Sequence, residues 1–282
     1  MPKVNARPAT AEDKENIVKL LEGFYPGIPN HWRKLFAPRS WKIEGDFPGF
    51  LLEDEEKVVG FLGTIFYEYE SPTGIQKICN LTTWYVDPNY RRYAMALFAG
   101  VMKIPNISWT NLSPAPHILN FLIRIGFSIL EDTQTFFFPI PKLLHRKKNV
   151  VLKINISEKE LDLNLRHIYQ THQNLICKHF LIKKNNEQCY CLAVITRYKK
   201  IPRANIYFVS NPALFKDVIA DIRFKLCTKL GVFYLLVEGN ILEEKKMFAA
   251  KAHKMAMPRL YKSNHSKNDI TLLGSELFIL GI

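Results

Sequence analysis

The chain has 282 residues, with 39 Lys+Arg against 26 Asp+Glu for a formal charge of +13, and 48% of its residues are hydrophobic. That apolar content supports one large or two ordinary globular domains and excludes a mostly disordered chain. Residues 1–140 carry 14 basic and 15 acidic side chains whereas residues 141–282 carry 25 and 11, so an anionic partner for the whole chain is not expected.

The five cysteines, Cys79, Cys177, Cys189, Cys191 and Cys227, are odd in number and sit mostly in apolar runs. That pattern argues against a disulfide framework and for a reducing, cytoplasmic setting. The start, Met1-Pro2-Lys3-Val4-Asn5-Ala6-Arg7, has no apolar leader, and the long uncharged segment 104–123 is interrupted by Pro105, Pro114 and Pro116. No membrane span is expected.

In chain order, Val4 to Ala9 reads as a strand. Thr10 and Asp13 form a capping signal for a helix with Ile17, Leu20, Leu21 and Phe24 at helical spacing. A proline- and aromatic-rich cover follows from Gly23 to Phe50. Phe50-Leu51-Leu52, the acidic turn 53–56 and Val58 to Tyr69 predict a hairpin, and Ile75 to Val86 predicts the next strand, ended by Asp87-Pro88. A basic loop then runs into a helix ending near Lys103. Ile107 to Asn111 is a further strand, and Ser113-Pro114 fits an N-cap and first helical position before Ile118, Leu119, Leu122 and Ile125. Gly126 closes that helix and Phe127 to Ile140 returns as strand. Residues 141–149 are the expected linker between domains 1–140 and 150–282.

The second half resembles the first. At an offset of 130, Phe180-Leu181-Ile182 matches Phe50-Leu51-Leu52, the turn Lys183-Lys184-Asn185-Asn186 matches Glu53-Asp54-Glu55-Glu56, and Leu192-Ala193-Val194-Ile195 matches Leu62-Gly63-Thr64-Ile65. At an offset of about 124, Phe208-Val209-Ser210-Asn211-Pro212 parallels Tyr85-Val86-Asp87-Pro88. A helix, a strand (Val232 to Val237) and a second helix (Glu243 to Met255) are predicted after it. The pattern is that of a degenerate internal duplication.

The most informative segment is 80–103. Unpaired backbone N–H groups at a helix start, together with the helix dipole, attract phosphate. Arg91 and Arg92 add charge there, and Ala94 and Ala96 allow close approach to the backbone. The same residues also fit a turn that merely solvates the surface above a buried helix.

Val86-Asp87-Pro88-Asn89-Tyr90-Arg91-Arg92-Tyr93-Ala94-Met95-Ala96 is similar to the pyrophosphate-loop segment of the GNAT N-acyltransferase superfamily, and Gly126-Phe127 stands where that family ends its last helix. The resemblance covers about the first 140 residues and, more weakly, the remainder. It implies an α/β fold with a mixed, largely antiparallel sheet flanked by helices, two copies in tandem. It also implies acetyl-CoA as acyl donor, with Tyr85 and Val86 offering backbone bonds to pantetheine and Arg91, Arg92, Tyr93, Ala94, Met95 and Ala96 cradling the phosphates. Asn111, at the end of the following strand, completes that cofactor set.

The chain departs from the family pattern in four places. Arg92 and Ala94 replace loop glycines, Leu122 stands where a tyrosine acid is frequent, and Ala115 stands at a common asparagine. Proton-carrying candidates beside the expected thioester are Asn80, Thr82 and His117, with Cys79 and Ser113 near them. Tyr25, Trp32 and Trp41 lie where the resemblance puts the acceptor, whose aromatic faces would suit a small amine such as an amino sugar; they also fit a simple seal for the sheet end. Cys189-x-Cys191 lacks zinc or redox spacing and reads as buried packing, and no metal is expected. The alternatives are a non-catalytic binding protein of the same fold and a basic half that docks on an anionic surface.

Overall fold

The computed structural model of the protein describes residues 4–24, 30–41, 43, 45–71, 73–141, 149–242 and 250–281. The first half runs β1 (Val4–Pro8), α1 (Lys14–Phe24), a 3-10 helix (Trp32–Phe36), β2 (Gly49–Asp54), β3 (Lys57–Ser71), β4 (Gly74–Val86), a 3-10 helix (Pro88–Tyr93), α2 (Ala94–Val101), β5 (Ser108–Asn111), α3 (Pro116–Arg124) and β6 (Ser128–Phe137). The second runs β7 (Val150–Ile154), α4 (Leu163–His172), β8 (Lys178–Lys184), β9 (Glu187–Tyr198), β10 (Ile201–Val209), α5 (Pro212–Leu230), β11 (Tyr234–Glu238), α6 (Gly239–Leu242), β12 (Ala250–Lys262) and α7 (Glu276–Ile279). Among the described residues no helix is long and apolar enough to cross a membrane.

Two compact units result: unit 1 is Met1–Ser128 with Arg259–Leu280, and unit 2 is Ile129–Pro258 with Gly281–Ile282. In unit 1, β1, β2, β3 and β4 pair antiparallel in sequence, β5 joins β4 in parallel, and Leu260–Lys262 pairs antiparallel with β5. In unit 2, β7, β8, β9 and β10 repeat the antiparallel run, β11 joins β10 in parallel, and β6 pairs antiparallel with β11. Each unit's last strand therefore comes from the other half of the sequence. β6, expected to close the first domain, lies in unit 2, and the chain end returns to unit 1, because those are the ladders that satisfy their backbone groups. Of the expected linker, 142–148 fall outside the described residues.

Local signals explain most elements. The Asp13 carboxylate accepts from Thr10 N at 2.8 Å and from Thr10 Oγ1 at 3.0 Å, opening α1. Asn211 Oδ1 accepts from Leu214 N at 2.9 Å to cap α5, and Gly231 ends it at φ +67°. The β2–β3 and β8–β9 turns place Glu55 at φ +56° and Asn185 at φ +55°, the same position at the offset of 130.

Two expectations are corrected. The helix predicted from Glu243 to Met255 is replaced over its described part by β12; Ala, Lys and Met are good helix formers, but strand pairing beside β6 overrides that local preference, with His253 Nδ1 3.0 Å from the Gln134 carbonyl. Ser113-Pro114 does not start α3, which begins at Pro116 after an uncapped Ala115. The Ser113 hydroxyl instead donates to Glu276 Oε1 at 2.8 Å.

The unit 1 core joins Leu52, Leu62, Leu81, Leu97, Phe98, Leu122 and Leu260 on the α2–α3 side. The unit 2 core joins Phe137, Phe180, Ile206, Phe215, Leu226 and Leu235, and contains Cys189 and Cys191. In unit 1 the terminal segment adds buried Leu273, Leu277 and Phe278. Gly274 sits there at φ +62° with a would-be Cβ 2.2 Å from Tyr67 Cγ, so it needs both its backbone freedom and its missing side chain. Gly274→Ala is expected to destabilise unit 1 by about 1–3 kcal/mol in chemical unfolding; an unchanged midpoint would show that this segment does not pack on Tyr67.

Candidate active site

Strands β4 and β5 run together only through Ile78↔Ser108, Cys79↔Trp109 and Asn80↔Thr110. From Leu81 to Val86 no described strand lies along that side of β4. Thr83 is the extra residue of a bulge against β3, between Gly63↔Thr82 and Leu62↔Trp84, and takes φ +46°. A left-handed conformation in a β-branched residue costs on the order of 1–3 kcal/mol and marks a place where the strand is deliberately re-aimed. Unit 2 has a bulge at the corresponding residue, Tyr207, but there the parallel ladder continues through Ile206↔Val237, up to the bulge. The cleft between the parallel strands thus opens earlier in unit 1.

The open edge of β4 leads directly into the loop singled out by the sequence. Asp87 Oδ1 accepts from Asn89 N at 3.0 Å, Pro88 occupies the first position, and the turn Pro88–Tyr93 passes into α2. Arg91, Arg92, Met95 and Ala96 are exposed, and Tyr93 and Ala94 half-buried. Ala94 has φ −55°, and neither Arg91 nor Arg92 takes a positive φ, so alanine and arginine replace glycine here without backbone strain. The Arg92 guanidinium lies 4.8 Å above the Tyr93 ring, and Tyr90 OH donates to Asp54 at 2.7 Å, fixing the loop on β2. In unit 2, Pro212 opens α5 directly, with no intervening turn.

Beneath the cleft, Trp84, Phe98 and Phe121 pack together with centroids 5.5–6.0 Å apart, joining β4, α2 and α3. Val86 is buried, and Tyr85 stacks on Phe24 of α1 at 4.1 Å. Leu122, at the expected tyrosine position, is fully buried in the core. Cys79 is buried on the same side and its thiol is pushed well up by desolvation.

The opposite face of β4 is polar. Asn80 Nδ2 donates to Thr110 Oγ1 at 3.1 Å, and Asn80 Oδ1 accepts from Glu276 N at 3.3 Å. Thr82 is buried with its hydroxyl 3.2 Å from that of Thr83, and Asn111 is buried at the end of β5. His117 sits on the exposed first turn of α3. Asn80 and Thr82 are thus gathered at the cleft, whereas His117 faces solvent.

Glu276 and Arg259 are additions from the terminal segment. Glu276 is fully buried; Oε1 accepts from Ser113, while Oε2 has no hydrogen-bond partner among the described residues. Burial raises its pKa to about 7, offset in part by the Ser113 hydrogen bond and by the charge of Arg259. Arg259 is buried and donates to the Leu112 carbonyl. The sequence held one signal for this: Glu276 is the only charged residue in the apolar run 270–282.

The acceptor-side aromatics separate. Tyr25 lies outside the described residues. Trp32 is buried in the 3-10 helix that packs against α7, the helix carrying Glu276. Trp41 is also buried, donates Nε1 to the Phe66 carbonyl at 2.7 Å and lines a 630 Å³ cleft with Ala9, Leu35, Arg39 and Phe47 at the β1–β2 end of the sheet. No group of three or more His, Cys, Asp or Glu placed to hold a metal occurs among the described residues.

A carboxyl held at a raised pKa makes a fold most stable when protonated. Unit 1 is therefore expected to lose stability as pH rises from the free glutamate value near 4.5 through about 7, and Glu276→Gln is expected to flatten that loss. Unfolding midpoints across this window test it; an unchanged slope in the Gln variant would contradict the buried, raised carboxyl.

No protein-family model and no curated protein sequence matches the chain. Solved structures match it in fold. A GCN5-related N-acetyltransferase from Anabaena variabilis ATCC 29413 aligns at TM-score 0.61 and 11% identity over 92% of this chain and 72% of its own. A conserved protein of unknown function from Enterococcus faecalis V583 aligns at 0.59 and 10% over 92% and 72%. The GCN5-related glucosamine N-acetyltransferase region of a fungal multi-domain GH3 β-N-acetylglucosaminidase aligns at 0.56 and 11% over 93% of this chain and 38% of that one.

Proposed function

With the fold of the GCN5-related N-acetyltransferases as premise, we propose that this chain is an acyl-CoA-dependent N-acyltransferase that moves an acyl group, acetyl in the simplest case, to an amine by direct attack in a ternary complex. The observation that carries the reading is the early parting of β5 from β4 in unit 1, opening onto the Pro88–Ala96 turn. A strand edge without a partner offers backbone N–H and C=O groups to an amide-bearing chain, and pantetheine is such a chain. The aromatic floor of Trp84, Phe98 and Phe121 suits its apolar stretches. Tyr85 and Val86 supply the backbone bonds, and Asn111 borders the cleft. Arg91, Arg92 and the α2 start, Tyr93 to Ala96, take the pyrophosphate.

In the reaction the amine nitrogen bonds to the thioester carbonyl carbon, the C–S bond breaks with its electron pair going to sulfur, and the nitrogen sheds a proton. Holding the two reactants together supplies up to roughly 7–11 kcal/mol of the barrier in favourable cases, and proton transfer typically adds about 100–10,000-fold. Asn80 and Thr82 line the polar face where this occurs, and His117 stands at its solvent side. A small amino sugar is the acceptor class we favour, supported by the fungal neighbour named as a glucosamine N-acetyltransferase; the buried Trp32 and Trp41 fit the seal of the sheet end instead.

Unit 2 reads as a degenerate copy. The shared strand order, the left-handed turn residues Glu55 and Asn185 and the bulges at Thr83 and Tyr207 support duplication. Among the described residues, its longer β10–β11 ladder and the missing turn before α5 leave no comparable opening between the parallel strands.

Replacing Arg91 and Arg92 together with Ala is expected to raise the Kd for CoA roughly 5- to 30-fold, about 1–2 kcal/mol, and unchanged affinity would remove the phosphate assignment. Free-thiol release from acetyl-CoA across a panel of amines that includes glucosamine tests turnover. CoA binding without thiol release for any amine would sink the enzyme reading.

A further inference from the structure

We infer that Glu276 is the proton acceptor of the transfer, reached through the Ser113 hydroxyl, which faces the amine. The inference rests on the acyltransferase reading above and names its base.

Glu276 differs from Glu131, one of the two buried glutamates of unit 2. Glu131 Oε1 accepts from Asp132 N, Thr133 N and Thr133 Oγ1 at 2.8–2.9 Å, and its Oε2 accepts from Asn240 N, so both oxygens are occupied. Glu276 keeps Oε2 unpartnered in a fully buried place, where leaving a carboxylate oxygen without a donor costs on the order of 1–3 kcal/mol or more. A carboxyl kept only for packing would be better replaced by an apolar group. Its other oxygen is joined to Ser113, whose residue is exposed at the β5–α3 turn. The pair therefore runs from solvent-accessible hydroxyl to buried carboxylate, beside Asn80 and the open edge of β4.

The charged and titratable groups on the elements around Glu276 leave it free to titrate. Arg259 of β12 favours the carboxylate without abolishing the effect of burial. His31, preceding the adjoining 3-10 helix, is held toward neutrality by burial, with Lys34 adding to that effect. Arg33 is bound by Glu15 at 2.6–2.7 Å. Glu276 thus stands near half-ionised at neutral pH, where a base works best.

As the N–C bond forms, the nitrogen proton passes to Ser113 Oγ while the Ser113 proton passes to Glu276 Oε1. The C–S pair leaves on the CoA thiolate, which takes a proton from solvent, and Glu276 returns its proton to solvent through Ser113. Ser113 is the group that touches substrate; Glu276 acts through it.

The test uses the full chain, acetyl-CoA and the amine of the panel that gives the fastest wild-type thiol release, across about pH 5 to 9. Glu276→Gln is expected to lower kcat about 100- to 10,000-fold with the KM for acetyl-CoA within about twofold, and to abolish the acidic limb of the wild-type kcat profile. Glu276→Asp restores part of kcat and the limb, and Ser113→Ala, at an exposed position, lowers kcat in the same direction. A folded Gln variant that keeps wild-type kcat and its acidic limb overturns the inference. Should Glu276→Gln fail to fold, Ser113→Ala with an unchanged kcat and limb overturns it instead. A wild type that binds acetyl-CoA but releases no thiol with any amine brings down the acyltransferase reading itself, a result distinct from both.

Discussion

Parallel strands satisfy one another's backbone groups only while they stay side by side, and β5 leaves β4 after Thr110. Every other feature of unit 1 is arranged around that parting. The bulge at Thr83 bends β4 at the cost of a left-handed threonine. Trp84, Phe98 and Phe121 fill the helix side, so the opening becomes a floored cleft rather than a hole through the sheet. The strand then delivers its last residues to a turn whose arginines are exposed. Unit 2 starts from the same strand order and a bulge at the same place, yet keeps its parallel ladder closed to Ile206 and proceeds straight into α5. Two residues of additional pairing and one missing turn separate the open parallel pair of unit 1 from the closed one of unit 2.

The terminal segment supplies the second constraint. Leu260–Lys262 completes the ladder beside β5, Arg259 holds the Leu112 carbonyl, and Gly274 lets the chain pass against Tyr67 so that α7 lies over the polar face of β4. A carboxyl is thereby carried into the interior beside Asn80 and Ser113 by apolar neighbours, Leu273, Leu277 and Phe278, whose burial contributes about 1.5–3 kcal/mol each. Hydrophobic packing offsets the desolvation of Glu276 and sets its raised pKa.

Much of this is written locally. The capping of α1 by Asp13, the two hairpins, the Asp87-Pro88 turn and the loop up to Ala96 follow from propensity, turn chemistry and alternation over neighbouring residues, and the structure follows them. The parting of β5 from β4 lies between two separate segments, and nothing within either one marks where their pairing stops. What the sequence concealed depends on contacts between distant segments. Ser113 has the residue type and place of a helix cap, but a glutamate 163 positions away claims its hydroxyl. Ala250 to Met257 has helical composition, but a sheet edge claims its backbone. Glu276 stood out as one acid in an apolar run, and nothing within that run says which strand it will meet.

The most direct measurement is a calorimetric titration of the full chain with acetyl-CoA. One molecule bound per chain is the expected result, since among the described residues unit 1 alone opens its parallel pair and presents the basic turn. No binding, or two equivalent sites, would contradict a single cofactor cleft made by the parting of β4 and β5.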